Sequence, residues 1–225
     1  MKRFDDAHIS VRLRLAEMAG SLLLRYPDAN TQVPAHNPVD AGTDTTAISL
    51  HTSIVSSTPP GAQLCMKLTE RAHDTQEKVR RAVIAGVCEA AVKDPNCVTG
   101  PLMLAVGERC LDKKPLVRRE ALLQLATVFA KNCGSYWKKG SALPKGHVER
   151  YRWIPKRMLA AWQTAHSSRL VVESLFDEVV LDKQDTVEER AHCLLGMIMY
   201  YHVALKHSAV LLALDLIVWC IGLCT

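Results

Sequence analysis

A thiol beside an imidazole has the residue chemistry of a nucleophile and its base, and His192 and Cys193 stand side by side. Neighbours on a helix point about 100° apart, so the two read as separate faces of one helix and not as a catalytic couple. His202 and His207 are five residues apart, a spacing that one helix face serves poorly, and no cysteine or carboxylate completes a zinc set with them. The cysteines at 65, 88, 97, 110, 133, 193, 220 and 224 contain no CxxC pair, and several fall at apolar helix positions. That is the pattern of thiols kept reduced, which points to cytosol or nucleus. The phosphate-loop, dinucleotide, HExxH and GxSxG patterns are absent. The expectation is a protein that is not an enzyme, with no catalytic, metal-binding or cofactor-binding residues.

Charge offers a second kind of chemistry. The stretch K131-N-C-G-S-Y-W-K-K-G-S-A-L-P-K-G-H-V-E-R-Y-R-W-I-P-K-R157 holds eight Lys or Arg against one Glu, with Tyr136, Trp137, Tyr151 and Trp153 interleaved. Such a mixture suits a phosphate, a nucleic acid or an acidic peptide, and Lys138, Lys139, Lys145, Arg150 and Arg152 are its candidate contacts. The blander alternative is a solvated inter-helix loop with Trp153 and Trp162 in the core. The stretch F176-D-E-V-V-L-D-K-Q-D-T-V-E-E-R190 has six acids and two bases and reads as a turn with its helix caps, or as a bed for a basic peptide. Thr58-Pro59 is a candidate proline-directed phosphorylation site. The net charge of +5 argues only for solubility and weak attraction to polyanions.

The most regular pattern is not catalytic. H73-D-T-Q-E-K-V-R-R-A-V83 returns as L111-D-K-K-P-L-V-R-R-E-A121, 38 residues later. D6-A-H-I-S-V-R12 keeps the same offsets, and D182-K-Q-D-T-V-E188 keeps Asp182 and Val187 but has Glu188 in the arginine position. The pairs Asp6 and Arg12, Asp74 and Arg80, and Asp112 and Arg118 therefore form a candidate structural ladder. Asp74 with Glu77, and Asp185 with Glu188, read as capping boxes that open helices. Val79 and Val117 enter the core. Arg80 and Arg118 are expected at its exposed edge, their stems covering apolar surface and their heads reaching the aspartate of an adjacent unit. Exposed pairs contribute at most about 1 kcal/mol, so such a ladder would set register more than stability.

The elements that must carry this ladder are helices. Hydrophobic residues make up 48% of the 225 and aromatics only 5%, which suits stacked amphipathic helices better than an all-β domain. Apolar spacing predicts helices over 76–92, 115–131 and 186–205, and one near the N-terminus along Val11, Leu15, Met18, Leu22 and the flanking Ala and Leu residues. Shorter companions fall at 97–111 and 147–162. The 38-residue step matches a two-helix HEAT-type repeat, and the 70 residues from Asp112 to Asp182 fit two more units. The step from Asp6 to Asp74 is too long for one unit, and residues 26–66 contain no Lys or Arg, so 27–62 is read as a flexible Pro/Ser/Thr-rich insert. The expected architecture is an all-α HEAT-type solenoid with a first helical region at 1–26, the insert at 27–62 and continuous repeats over 63–225. The start M1-K-R-F-D-D6 does not read as a signal peptide. The apolar run 209–224 carries Asp215 and falls short of the ~20 residues that span a bilayer, so it reads as a buried helix and no membrane is expected.

R71-A-H-D-T-Q-E-K-V-R80, E108-R-C-L-D-K-K-P-L-V-R-R-E-A121, W153-I-P-K-R-M-L159, V171-V-E-S-L-F-D-E-V-V-L181 and V187-E-E-R-A-H-C-L194 together resemble a known family. It is the cohesin-associated sister-chromatid cohesion regulator family called precocious dissociation of sisters. R3-F-D-D-A-H-I-S-V-R12 resembles the unit just upstream in the same family. The resemblance implies a portion of a longer HEAT solenoid that sits on the cohesin ring and regulates its stability on chromatin. It further implies a nuclear, chromatin-associated location, with the cohesin kleisin subunit, other cohesin subunits and cohesin regulators as partners; DNA or chromatin is the partner expected only if the basic loop binds it. Two other readings stand beside it: a nucleic-acid-binding helical-repeat protein using the 131–157 loop, and a generic HEAT adaptor for transport or phosphatase assembly.

Overall fold

The computed structural model describes residues 2–27, 58–134, 149–181 and 186–202. Among the described residues there are nine α-helices and no strand: α1 (Ile9–Glu17), α2 (Ala19–Arg25), α3 (Pro60–Ala72), α4 (Glu77–Lys93), α5 (Gly100–Glu108), α6 (Pro115–Cys133), α7 (Ile154–Thr164), α8 (Arg169–Leu175) and α9 (Val187–His202). Short helical turns at Lys2–Asp5, Arg109–Leu111 and His166–Ser168 precede α1, α6 and α8, and a π-helical turn at Phe176–Val180 continues α8.

The apolar spacing explains the long helices. Val79, Val83, Gly86, Val87 and Ala90 recur at three- and four-residue steps and are all buried along α4. Val117, Ala121, Leu125, Val128 and Phe129 do the same along α6. Burying each such valine, leucine or phenylalanine contributes about 1.5–3 kcal/mol. Prolines punctuate the starts: Pro60, Pro101, Pro115 and Pro155 occupy the first or second position of α3, α5, α6 and α7, where their missing N–H has no intrahelical partner to lose.

Two layers result. The first runs α1/α2, α4, α6 and α8, each packed on the next, with α4 and α6 making the most extensive contact. In the second, α3 packs on α5 and α5 on α7, while α3 packs across on α4 and α7 on both α6 and α8. This is the helix-pair stacking of an α-solenoid, with one continuous core between the layers. The pairs are α3–α4, α5–α6 and α7–α8; Asp74 and Asp112 fall in the turns within the first two, and Asp6 in the turn ahead of α1.

The structure departs from the sequence expectations in four places. Near the N-terminus the one helix expected is two, α1 and α2, broken at Met18, which is 46% exposed, and the flanking Ala16, Ala19 and Leu23 form the buried stripe together with Gly20. Small residues prevail there because α2 lies against α4: a Cβ added to Gly20 would stand 3.0 Å from the Gly86 carbonyl oxygen. Helix α3 begins at Pro60, inside the range assigned to the insert, because proline is favoured at a helix start. Trp153 and Trp162 are half-buried, not core. Finally, the turn that meets Arg118 lies in the pair α7–α8, away from the 38-residue spacing of the earlier turns. That turn is His166–Ser168, with Ser168 standing 56 residues after Asp112, and Asp182 lies outside the described residues.

No described helix is long and apolar enough to cross a membrane. Residues 209–224 lie outside the described residues.

Candidate functional site: a buried arginine ladder

The turn ahead of α1, α4 and α6 is built three times in the same way. The N–H groups of Asp6, Asp74 and Asp112 donate to the carbonyls three residues earlier, on Arg3, Arg71 and Arg109, at 3.3, 3.1 and 3.1 Å. Each aspartate Oδ1 then accepts the N–H two residues on, from His8, Gln76 and Lys114, at 2.9 Å in every case. These donors are the N-cap residues of their helices, so each aspartate forms a turn two residues ahead of the cap. The capping box expected from Asp74 and Glu77 does not form, because extended backbone at Gln76 delays the helix start. A box does open α9, one residue later than expected: Thr186 N–H donates to Glu189 Oε2 at 2.9 Å, and Glu189 N–H donates to Thr186 Oγ1 at 3.3 Å. Asp182 and Asp185 lie outside the described residues.

Each arginine, six residues beyond its aspartate, bonds in two directions. Backward, Nη1 of Arg12, Arg80 and Arg118 donates to the backbone carbonyls of Asp6, Asp74 and Asp112 at 2.6, 2.7 and 2.7 Å. Forward, Arg12 meets the next carboxylate through Nε to Asp74 Oδ2 at 2.9 Å and Nη2 to Oδ1 at 3.4 Å. Arg80 repeats this on Asp112, with Nε 2.9 Å from Oδ2 and Nη2 donating to Oδ1 at 3.0 Å. The planar guanidinium fork matches a carboxylate at both oxygens, which a lysine could not do. Arg71 and Arg109 add a local contact each, Nη1 reaching Asp74 Oδ2 at 2.9 Å and Asp112 Oδ2 at 3.3 Å.

Arg118 has a different forward partner. Its Nε donates to Ser168 Oγ at 3.2 Å and its Nη2 to Ser167 Oγ at 2.7 Å. Ser168 occupies the register of the aspartates, its N–H donating three residues back to Ala165 O at 2.7 Å.

The rungs are not the exposed pairs expected. The Arg80 and Asp112 side chains are 5% and 3% exposed, and Asp74 is equally enclosed, because the adjacent helices close over the turn edge. Burial alone would raise both carboxyl pKa values. For Asp74 the hydrogen bonds from Arg12 and Gln76 N–H and the charges of Arg12 and Arg71 outweigh it. For Asp112 the Lys114 N–H, the Arg80 bond and the charges of Arg80 and Arg109 do the same. Both carboxyls are held below the ordinary aspartate value, so the ladder is ionised near neutrality.

The candidate anion residues are placed otherwise. Lys138, Lys139 and Lys145 lie outside the described residues. Arg150 Nη1 donates to the Pro95 carbonyl in the turn between α4 and α5, and Tyr151 Oη donates to the same oxygen at 3.1 Å. Arg152 is ion-paired with Glu149. Trp153 donates Nε1 to Arg150 O at 2.8 Å and lays its ring over Gly107, where an added Cβ would come within 2.5 Å of the ring. These bonds fix the entry to α7. Trp162 and Arg169 lock α7 to α8: Trp162 Nε1 donates to Glu173 Oε1 at 2.9 Å, and the Arg169 guanidinium stacks 5.1 Å from the indole centre.

Cys193 is buried while its neighbour His192 is exposed, so the two face apart. Cys65, Cys88, Cys97, Cys110, Cys133 and Cys193 are buried, and burial pushes the thiols of Cys97, Cys110 and Cys133 up to about 12. Thiols so protonated are poor nucleophiles and metal ligands. Among the described residues no group of His, Cys, Asp and Glu is arranged to hold a metal ion.

Comparison with known proteins gives a consistent pattern. The family model described as sister chromatid cohesion protein PDS5 protein matches residues 1–214. Sister chromatid cohesion protein PDS5 homolog A of Danio rerio is 29% identical over 214 residues, covering 92% of this chain and 13% of that protein. The Homo sapiens homolog A is 28% identical over 209 residues with the same coverage, and the Homo sapiens homolog B is 27% identical over 209 residues, covering 92% of this chain and 12% of that protein. The chain thus spans about an eighth of the length of these curated relatives.

Proposed function

Because this chain belongs to the sister chromatid cohesion protein PDS5 family, we propose that it is a non-enzymatic helical-repeat scaffold that binds cohesin and regulates its association with chromatin. The observation that carries this reading is the family match over residues 1–214, nearly the whole chain. The fold supports it in kind. Stacked helix pairs offer an extended surface, and the buried polar groups are spent on holding units in register. Binding in such an array is spread over several units, so the expected partners, the kleisin and other subunits of cohesin together with its regulators, would engage a surface and not a pocket. The expected location is the nucleus, on chromatin.

The direct test is co-purification of the intact chain with the cohesin kleisin subunit, run beside a circular dichroism spectrum showing that the sample is helical. Recovery of the kleisin above a helical-repeat control is the expected result. Loss of recovery in a folded sample would refute the cohesin assignment and leave the scaffold fold standing. The nucleic-acid reading has less support, since the described basic candidates Arg150 and Arg152 are engaged with Pro95 and Glu149. A generic adaptor role is less favoured for a different reason: it does not account for the family match.

A further inference from the structure

We propose that Ser167 is a phosphorylation site and that its phosphoryl group completes the third rung of the ladder by pairing with Arg118. The argument rests on a geometric equivalence among the three forward contacts. In the first two, arginine Nε and Nη2 face the two oxygens of one carboxylate, Asp74 or Asp112. In the third, the same two nitrogens of Arg118 face two hydroxyls, Nε to Ser168 Oγ at 3.2 Å and Nη2 to Ser167 Oγ at 2.7 Å. A pair of neutral hydroxyls stands where two anionic oxygens stand elsewhere. Among the described residues Arg118 has no carboxylate within ion-pair distance, so this rung keeps the geometry of its predecessors and lacks the charge.

The two serines differ in access. Ser168 is 4% exposed and enclosed by the turn, whereas Ser167 is exposed at the tip of the His166–Ser168 turn, where a modifying enzyme can reach its hydroxyl. A serine/threonine protein kinase would transfer the γ-phosphoryl group of ATP to Ser167 Oγ. The Oγ–P bond forms as the bond from γ-phosphorus to the β–γ bridging oxygen breaks, ADP leaves with that oxygen, and the hydroxyl proton passes to the base of the kinase. The product carries a charge of about −1.5 to −2 and three acceptor oxygens. They would lie beside the Arg118 fork, whose Nη2 is already at hydrogen-bond distance from Oγ. Modification would tie the α7–α8 pair to α6 as the carboxylates tie the earlier units, making the joint's strength adjustable.

The test uses the full 225-residue chain with phosphoserine incorporated at position 167, with and without Arg118→Gln. In the parent background phosphoserine is expected to raise Tm by about 2–4 °C, and in the Arg118→Gln chain the rise should disappear. Should Arg118→Gln not fold, Arg118→Lys keeps the charge without the fork and is expected to retain less than half of the shift. No rise, a fall, or an equal rise in the substituted chain would overturn the pairing. Phosphopeptide mapping of the chain from its source cells is expected to find phosphate on Ser167, and a chain unmodified there in every growth state would overturn the use of the site.

Discussion

Replacing Asp112 with Ala should cost this protein far more than a surface ion pair would, and the structure gives the size. Three contacts go at once: the carboxylate held by Arg80, the partner of Arg109 Nη1, and the acceptor of Lys114 N–H. Arg80 remains behind with its side chain 5% exposed and its charge uncompensated. Orphaning one member of a buried pair costs about 3–5 kcal/mol, and losing the turn acceptor adds about 1 kcal/mol. Arg80 keeps its bonds to the Asp74 and Thr75 carbonyls, which places the total toward the lower end, about 4 kcal/mol. That is a large share of the ~5–15 kcal/mol that a domain has to lose. Asp5→Ala breaks a pair with Lys67 whose side chains are 30% and 46% exposed, and should cost at most about 1 kcal/mol. The double variant Arg80→Met, Asp112→Leu removes both charges together and should be more stable than Asp112→Ala alone, because no buried charge is left over. Urea unfolding followed by circular dichroism with linear extrapolation measures all four chains. An Asp112→Ala variant within 1 kcal/mol of the parent, or a double variant no better than the single, would refute the reasoning.

Acid should weaken the same edge. The folded pKa values of Asp74 and Asp112 lie below the ~3.9 of an unfolded aspartate, so their contribution is fully present above about pH 4 and lost as pH falls through the folded values. Unfolding free energy measured from pH 5 downward should drop, and the drop should shrink in Asp74→Asn, Asp112→Asn. Gly107→Ala puts a Cβ within 2.5 Å of the Trp153 ring, so the indole must move; a loss of about 1–3 kcal/mol with a shift in tryptophan emission is expected, and unchanged emission would contradict it. Val79→Asp or Val117→Asp buries a charge at a fully enclosed position and should unfold a unit, whereas Arg119→Ala, at an exposed position, should stay within about 0.5 kcal/mol by thermal denaturation.

The solenoid was legible because one physical unit is written repeatedly: an aspartate that shapes a turn, a valine that enters the core, and an arginine one residue on. The burial of Arg80 was not legible, since it depends on how closely α4 and α6 approach, and that is set by side chains on both helices. The capping error has a local cause. D-x-x-E suits a capping box and an aspartate turn equally well, and only the extended backbone at Gln76, φ −88° and ψ 121°, decides between them. The Arg118 contact was not legible because sequence spacing stops reporting register there. Asp112 and Ser168 are 56 residues apart, not 38, and two hydroxyls do not resemble a carboxylate on paper. Of the basic candidates, Arg150 holds a backbone carbonyl, with Tyr151 beside it; proximity to Pro95, some 55 residues away, has no sequence signal.

Apolar packing would serve the stability of these joints as well as a buried polar ladder, or better. What the ladder adds is direction. An arginine that donates backward to its own turn and forward to the next carboxylate fits only one rotation of α4 against α6, and a slip of one residue would bury both charges unpaired. The opposite end of the same joint is set by a second polar contact, Asn132 Nδ2 donating to the Ala91 carbonyl at 3.4 Å. Two anchors, one at each end of the α4–α6 interface, leave that joint little freedom to twist. At the α1/α2–α4 joint the anchors are the Arg12 rung and the close Gly20–Gly86 approach. Among the described residues the α6–α8 joint carries two hydroxyls at its turn edge where the other two joints carry a carboxylate, so it is the joint whose stiffness an added charge could raise. In a solenoid the angle at each joint is carried along every unit beyond it. A charge added at Ser167 would therefore act on the path of the array and not only on its stability.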